Sequence, residues 1–332
     1  MKYTLLLVFA LMAHLLTAQN TPGKKYISSE DLGSWVGYLA SDNMKGRMNG
    51  SDEMLEAAGW IAARYKEFGL KAFKEFDNYL QPYSFSRRDL SVNEHNVLGY
   101  IPGADPKLKD EYIIISAHFD HIGIRRAVEG DSIYNGADDN AAGTSTLLGV
   151  AKAISMSGKK PGRTIVFTAV SGEEMGLHGS RYFVSNPTID LSKAFVNINF
   201  EMTGHSEELG KGSYYMTGCD FSTLDDCIEG FNRDRNITLV DTIAVAGRLF
   251  FASDNIAFAR VKTEGDISYG IPCGTFATTT MGSHIHKPND ELELFDLDNM
   301  AELVNYFSEM VMWLSWSNES VEWTNDNFRR LN

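Results

Sequence analysis

Two adjacent carboxylates, Glu173 and Glu174 in SGEEMGLHGS, follow directly on the apolar run TIVFTAV. In that position they are either an ordinary solvated turn or two halves of a catalytic device, one carboxylate holding a cation while the other moves a proton. Similar side chains follow two other apolar runs. EYIIIS leads into AHFDH, with His118, Asp120 and His121, and AFVNINF leads into EMTG, with Glu201. Between them lies NGADDNAAG, with Asp138, Asp139 and Asn140, and nearer the C-terminus SHIHKPNDELE supplies His284, His286 and Asp290. Taken singly, an Asp at a helix start is ordinarily a cap, and a His in a loop is ordinarily exposed. Together these loops offer a His, an Asp, two Glu and a second His. That mixture suits a borderline cation such as zinc, whereas a calcium site would avoid imidazole. Three carboxylates and two neutral imidazoles are balanced in charge by two divalent cations and a bridging hydroxide, provided one carboxylate is shared.

For these side chains to meet, the apolar runs must be strands of one sheet. HNVLGYI, EYIIIS, RTIVFTAV, AFVNINF and IPCGTFATT have strand length and nearly continuous hydrophobicity, and NAAGTSTLLGVAKAIS and LDNMAELVNYFSEMVMWLS have helical spacing. The expected class is α/β: a three-layer arrangement with a mostly parallel, mixed central sheet and helices on both faces. In open sheets of this kind ligands bind beyond the carboxyl ends of the strands, which is where three of the motifs fall. The small residues Ala141, Ala142 and Gly143 would let a helix start approach a packed centre closely. Upstream, SEDLGSWVGYLA and DEMLEAAGWIAARYKEFGL read as two surface helices, the second stopping near Gly69, joined by the turn-rich, basic SDNMKGRMNGS.

With 332 residues, 43% of them hydrophobic, the chain can bury a substantial core, and a formal charge of -14 argues against a nucleic-acid partner. Residues 1–19, MKYTLLLVFALMAHLLTAQ, read as a secretory signal peptide, leaving 20–332 as one domain of an exported protein, periplasmic or extracellular. No later segment is apolar enough for an integral membrane span. Of the three cysteines, Cys219 and Cys227 are the pair closest in sequence, so they either bridge or stay as buried thiols alongside Cys273. Neither a G-x-S-x-G elbow nor an H-E-x-x-H helix is present, which argues against a serine hydrolase or a zincin.

AHFDH, GADDNAAG, SGEE and HKPND, in that order, resemble the motifs of the two-zinc exopeptidases, a family of secreted bacterial leucine aminopeptidases related to glutamate carboxypeptidases and glutaminyl cyclases. The resemblance runs from about Leu32 to the C-terminal helix and implies the zinc-exopeptidase fold with two Zn²⁺ per chain. It makes His118 a ligand of one zinc, with Asp120 orienting its ring. Asp139 becomes the bridging ligand, Glu174 and His286 ligands of the other zinc, and Glu173 the general base. Asp290 takes a supporting role. Glu201 stands where relatives carry an Asp ligand, and Ile285 where many carry an oxyanion-stabilising Tyr, a task left to His284, another residue or the zinc. Ser253 and Asp254 either border the substrate pocket or cap a helix. His121, His178 and His205 are expected to be structural or exposed. The implied activity is hydrolysis of N-terminal peptide bonds of peptide substrates by a hydroxide activated by two metals. The alternatives are a glutaminyl cyclase-like acyltransferase and a metal-free binding module on the same fold.

Overall fold

The computed structural model describes residues 25–87, 90–233, 235–261, 270–280 and 282–324; the expected signal peptide lies outside them. Its frame is an eight-stranded sheet in the order β1-β2-β6-β3-β7-β10-β8-β9. The strands are β1 (Leu80–Arg87), β2 (Leu90–Ile101), β3 (Tyr112–His118), β6 (Thr164–Val170), β7 (Ala194–Phe200), β8 (Ser213–Met216), β9 (Thr238–Val240) and β10 (Cys273–Ala277). β6, β3, β7 and β10 run parallel at the centre. β1 and β2 extend one side antiparallel, and β8 joins β10 antiparallel on the other. A separate hairpin, β4 (Gly123–Val128) with β5 (Asp131–Tyr134), stands off the sheet.

The central strands are buried on both faces because their side chains alternate between two helical layers. Ile113, Ile115, Val196, Ile198 and Phe200 join one core with α1 (Ser29–Leu39), α2 (Asp52–Glu67), α3 (Gly143–Met156) and α8 (Leu297–Trp316). Ile114 and Val166 join the opposite core with Phe183 of α4 (His178–Ser185) and Phe258 of α7 (Asn255–Ala259). Each such side chain contributes about 1.5–3 kcal/mol on leaving water. Asn197 and Asn199 of β7 also face this second layer. Asn197 donates to Ser116 Oγ at 2.9 Å, and Asn199 donates to Ser253 Oγ at 2.9 Å and Thr275 Oγ1 at 3.1 Å while its Oδ1 accepts from Ser116 Oγ at 2.8 Å, so the Asn199 amide is satisfied at both ends.

Both N-terminal helices form as expected. Ser28 and Asp31 make a capping box at α1, Ser51 caps α2, and Gly69 follows α2 at φ +77°. The loop between them is not simply a basic surface loop. Arg47 is fully buried and donates only to backbone carbonyls, those of Phe119 at 2.8 Å, Asn135 at 2.7 Å, Gly136 at 3.0 Å and Leu39. Burial lowers its pKa to about 10, against the pull of Asp120, Asp290, Asp139 and Glu174. It stitches the loops behind the carboxyl end of the sheet. Cys219, Cys227 and Cys273 are all free thiols, so the possible Cys219 to Cys227 bridge is not formed.

Candidate active site and metal centre

The parallel register sets the site. His118, the last residue of β3, pairs with Val170, the last of β6, and Ser116 pairs with Asn199 of β7. Three strands therefore end nearly level, and the loops that follow them carry His118, Glu173 with Glu174, and Glu201. Asp139 reaches the same place from an irregular turn, Ala137–Ala142, that precedes α3. Neither Asp138 nor Asp139 caps that helix. Asn140 instead ties the helix start to the end of β7: its Oδ1 accepts from Gly143 N at 2.9 Å and Met202 N at 3.2 Å while its Nδ2 donates to Phe200 O at 3.0 Å. The helix start sits so close to the end of β7 that a Cβ at Gly143 would lie 2.3 Å from Phe200 O. The close approach expected of the small residues is therefore real, and it frees both Asp side chains. Asp290 holds the turn from the far side, accepting from Asp138 N at 2.8 Å and Asp139 N at 3.0 Å.

Asp139 faces two ways. Its Oδ1 lies 3.4 Å from His118 Nε2, which is also 3.1 Å from Glu201 Oε1. Its Oδ2 lies 3.0 Å from His286 Nε2, which is also 3.0 Å from Glu174 Oε1. The His118 ring has a defined tautomer: a carbonyl can only accept, so the 3.2 Å contact to Asp120 O makes Nδ1 the donor. Nε2 then presents a lone pair to two carboxylates. Acceptors facing each other at such distances need a cation between them, a proton or a metal. The carboxylates Glu173, Glu201 and Asp139 accordingly overcome burial and pull the His118 pKa well up, and Asp139 with Glu174 raises His286 to about 10.

His121, expected to be structural or exposed, belongs to this site. It is fully buried, with Nδ1 3.1 Å from Glu174 Oε1 and 3.8 Å from Asp139 Oδ2, and neither ring nitrogen makes a hydrogen bond. Two triplets with metal-holding geometry thus share Asp139: His118, Asp139 and Glu201, and His121, Asp139 and Glu174, with His286 beside the second. The orphaned nitrogens of His121 and the facing acceptors are what a zinc-ligating set requires. Its only sequence signal was adjacency to Asp120 at the strand end.

Asp120 acts mainly through the backbone. Its carboxylate is 3.7 Å from His118 Nδ1, farther than its own carbonyl, and accepts instead from Asn49 Nδ2 at 2.6 Å, Glu173 N at 3.1 Å and Glu174 N at 3.2 Å. It fixes the strand-end turn on which the glutamate pair sits. That pair lies on a turn closed by Gly176 and Leu177 N–H groups to Glu173 O. The two carboxyls still part company. Burial, followed by the neighbouring Glu201 and Asp254, pushes Glu173 well above the carboxylate range despite His118. Burial also works against Glu174, but His121 and His286 outweigh it and hold Glu174 well below that range. Adjacent carboxyls with opposed proton affinities can divide base and ligand duties.

Ser253 accepts from Asn199 and Asp254 accepts from Ser180 Oγ at 2.5 Å; neither side chain caps α7. Asp254 is fully buried, and burial raises its pKa to about 7. Ile285 packs against a small core around Met202 and Tyr215. His284 turns to Asp138, with Nε2 3.3 Å from Oδ2, and so is not aimed at an oxyanion. His178 stacks on Phe85 with centroids 4.0 Å apart. His205 is buried beside His284 rather than exposed.

The chain is similar to several known proteins. Leucine aminopeptidase 1 of Trichophyton rubrum is 26% identical over 229 residues, covering 65% of this chain and 58% of that protein. The chain thus spans just over half the length of the curated relative. Among solved structures, the aminopeptidase from Aneurinibacillus sp. strain AM-1 aligns with a TM-score of 0.67 at 15% identity over 87% of this chain and 94% of its own. Porphyromonas gingivalis glutaminyl cyclase aligns with a TM-score of 0.64 at 17% identity over 86% of this chain and 98% of its own. At those identities the likeness is one of fold. No helix among the described residues is long and apolar enough to cross a membrane. The sequence match itself extends over residues 96–311, from β2 to near the end of α8, and on that span the chain belongs to Peptidase family M28.

Proposed function

We propose that this protein is a zinc-dependent exopeptidase, an aminopeptidase that hydrolyses N-terminal peptide bonds with Glu173 as general base. The observation that carries the reading is Asp139, which presents one oxygen to His118 and the other to His286 and Glu174. Two zinc ions held by His118, Asp139 and Glu201 on one side, and by Asp139, Glu174 and His286 on the other, would polarise a scissile carbonyl and acidify water. His121 is a further candidate donor beside the second position.

The protein's own groups do the rest. Glu173 takes a proton from the attacking water and returns it to the amine nitrogen as the C–N bond breaks. Its raised proton affinity suits both halves of that task. Asp120 holds the Glu173 and Glu174 backbone by their N–H groups, and its carbonyl keeps His118 in the tautomer with Nε2 free. Exposure of the His286 side chain, 52%, leaves the second position open to an incoming peptide. We read residues 20–332 as one catalytic domain of an exported enzyme, with 1–19 removed.

Cyclisation of N-terminal Gln is the rival chemistry on the same fold; a dedicated base beside a ligand suits water activation better. Amino-acid release from aminoacyl anilides, lost on chelation and restored by zinc, is the expected result. A chain that cyclises Gln-peptides but releases no terminal residue, or one that binds no zinc, would overturn the reading.

A further inference from the structure

Asp138 immediately precedes the shared Asp139, yet its side chain serves a second cluster, with His205 and His284. All three residues are buried, at 0%, 7% and 8% exposure. Asp138 Oδ1 is engaged by the Gly204 N–H at 3.0 Å. That leaves Oδ2 to face both imidazoles, 3.3 Å from His284 Nε2 and 3.7 Å from His205 Nε2. The rings lie side by side, centroids 4.4 Å apart and planes 20° apart, so both nitrogens converge on one carboxylate oxygen.

A hydrogen-bonded trio explains only part of this. One proton can join His284 to Asp138, but His205 Nε2 is buried without a hydrogen-bond partner. Protonating both stacked rings would set like charges against each other out of water. A divalent cation satisfies all three groups. Bonds of about 2.0–2.2 Å around a tetrahedral ion put its ligands about 3.3–3.6 Å apart. The 3.3 Å separation from His284 falls within that spacing, and the 3.7 Å separation from His205 lies just beyond it. The surroundings keep the rings in place. Phe295 covers His205 at 5.5 Å between centroids, and a Cβ at Gly282 would lie 2.2 Å from His284 Cε1.

We propose that Asp138, His205 and His284 form a third metal site, taking a borderline divalent cation such as zinc, separate from the pair across Asp139 and structural in role. Each of its ligands lies within a few residues of a group in the open site: Asp138 beside Asp139, His205 after Glu201, and His284 before His286. A cation there cross-links the three loops that carry those groups. Its donors are two imidazoles and one carboxylate, with the fourth tetrahedral position left to water.

Metal-stripped protein titrated with Zn²⁺ and desalted is expected to retain three equivalents by elemental analysis, and the H205Q/H284Q double variant two. Zinc-edge anomalous diffraction from zinc-saturated wild-type crystals is expected to show a peak between Asp138 Oδ2, His205 Nε2 and His284 Nε2. The same map separates this proposal from the two-metal reading, whose failure would instead remove peaks beside Asp139. If the double variant does not fold, the wild-type map decides. No peak at the cluster, or a third equivalent that survives the double substitution, would overturn the proposal.

Discussion

Asp138 and Asp139 are neighbours in the chain that serve two clusters of opposite character. Around Asp139, His118, Glu201, Glu174 and His286 converge beside a glutamate of raised proton affinity, and His286 opens to solvent. Around Asp138, His205 and His284 converge with similar spacing, but every member is buried. The donor chemistry is nearly the same; access and a neighbouring base are what differ. A closed cluster of this kind can hold loops together, whereas an open one with a base can turn over substrate. Asp290 grips both backbone N–H groups at once, so the two clusters share one mechanical support.

The largest effect is expected from Asp139→Asn. Losing the carboxylate that faces both ways should abolish stoichiometric zinc at both open positions and lower turnover beyond the loss from any single base substitution, as elemental analysis and an anilide assay would read. Retention of both metals would break the asymmetry between the two clusters. Next is Glu173→Gln, for which turnover should fall by at least about 10²-fold with zinc content unchanged. H284Q, in the closed cluster, should cost less than about tenfold, or 1.4 kcal/mol in the barrier; equal losses would show that the closed cluster takes part in the chemistry. His121→Gln should weaken zinc at the second position by about 10-fold or more, the scale at which supporting groups act on metal affinity. An unchanged zinc titration would return His121 to a packing role. Asp290→Ala should act on stability rather than on turnover, because it orphans two buried N–H groups at about 1–3 kcal/mol each. For a chain of this size each kcal/mol lowers the melting temperature by about 2 °C. Both clusters should loosen together, and a loss of metal from only one would separate them.

Much of the open site was legible because strand-length apolar runs announce where a parallel sheet ends. His118, Glu173, Glu174 and Glu201 all follow such runs, and the structure brings them to one end of one sheet. What stayed hidden depends on long-range packing. His205 lies 67 positions after Asp138 in the numbering and carries no local pattern that distinguishes it from an exposed loop histidine. Arg47 sits in a turn-rich stretch, and its burial exists only because four carbonyls from separate loops close around it. Strand β1 was missed because LQPYSFSR alternates polar and apolar residues around a proline, as suits its place on the sheet edge. Asp138 was masked by its neighbour: two consecutive acids at a helix start read as capping, whereas it is Asn140 that accepts from the first helical N–H and both acids turn to other partners.

Zinc-edge anomalous diffraction of the Glu173→Gln variant, crystallised with zinc and a slow peptide substrate, would show directly whether Asp139 is shared by two metals. Besides the peak proposed at Asp138, two peaks about 3.5–4 Å apart are expected on either side of Asp139, with an uncleaved peptide beside them. Fewer than two peaks beside Asp139, or a pair there that does not share its carboxylate, would contradict the two-metal reading.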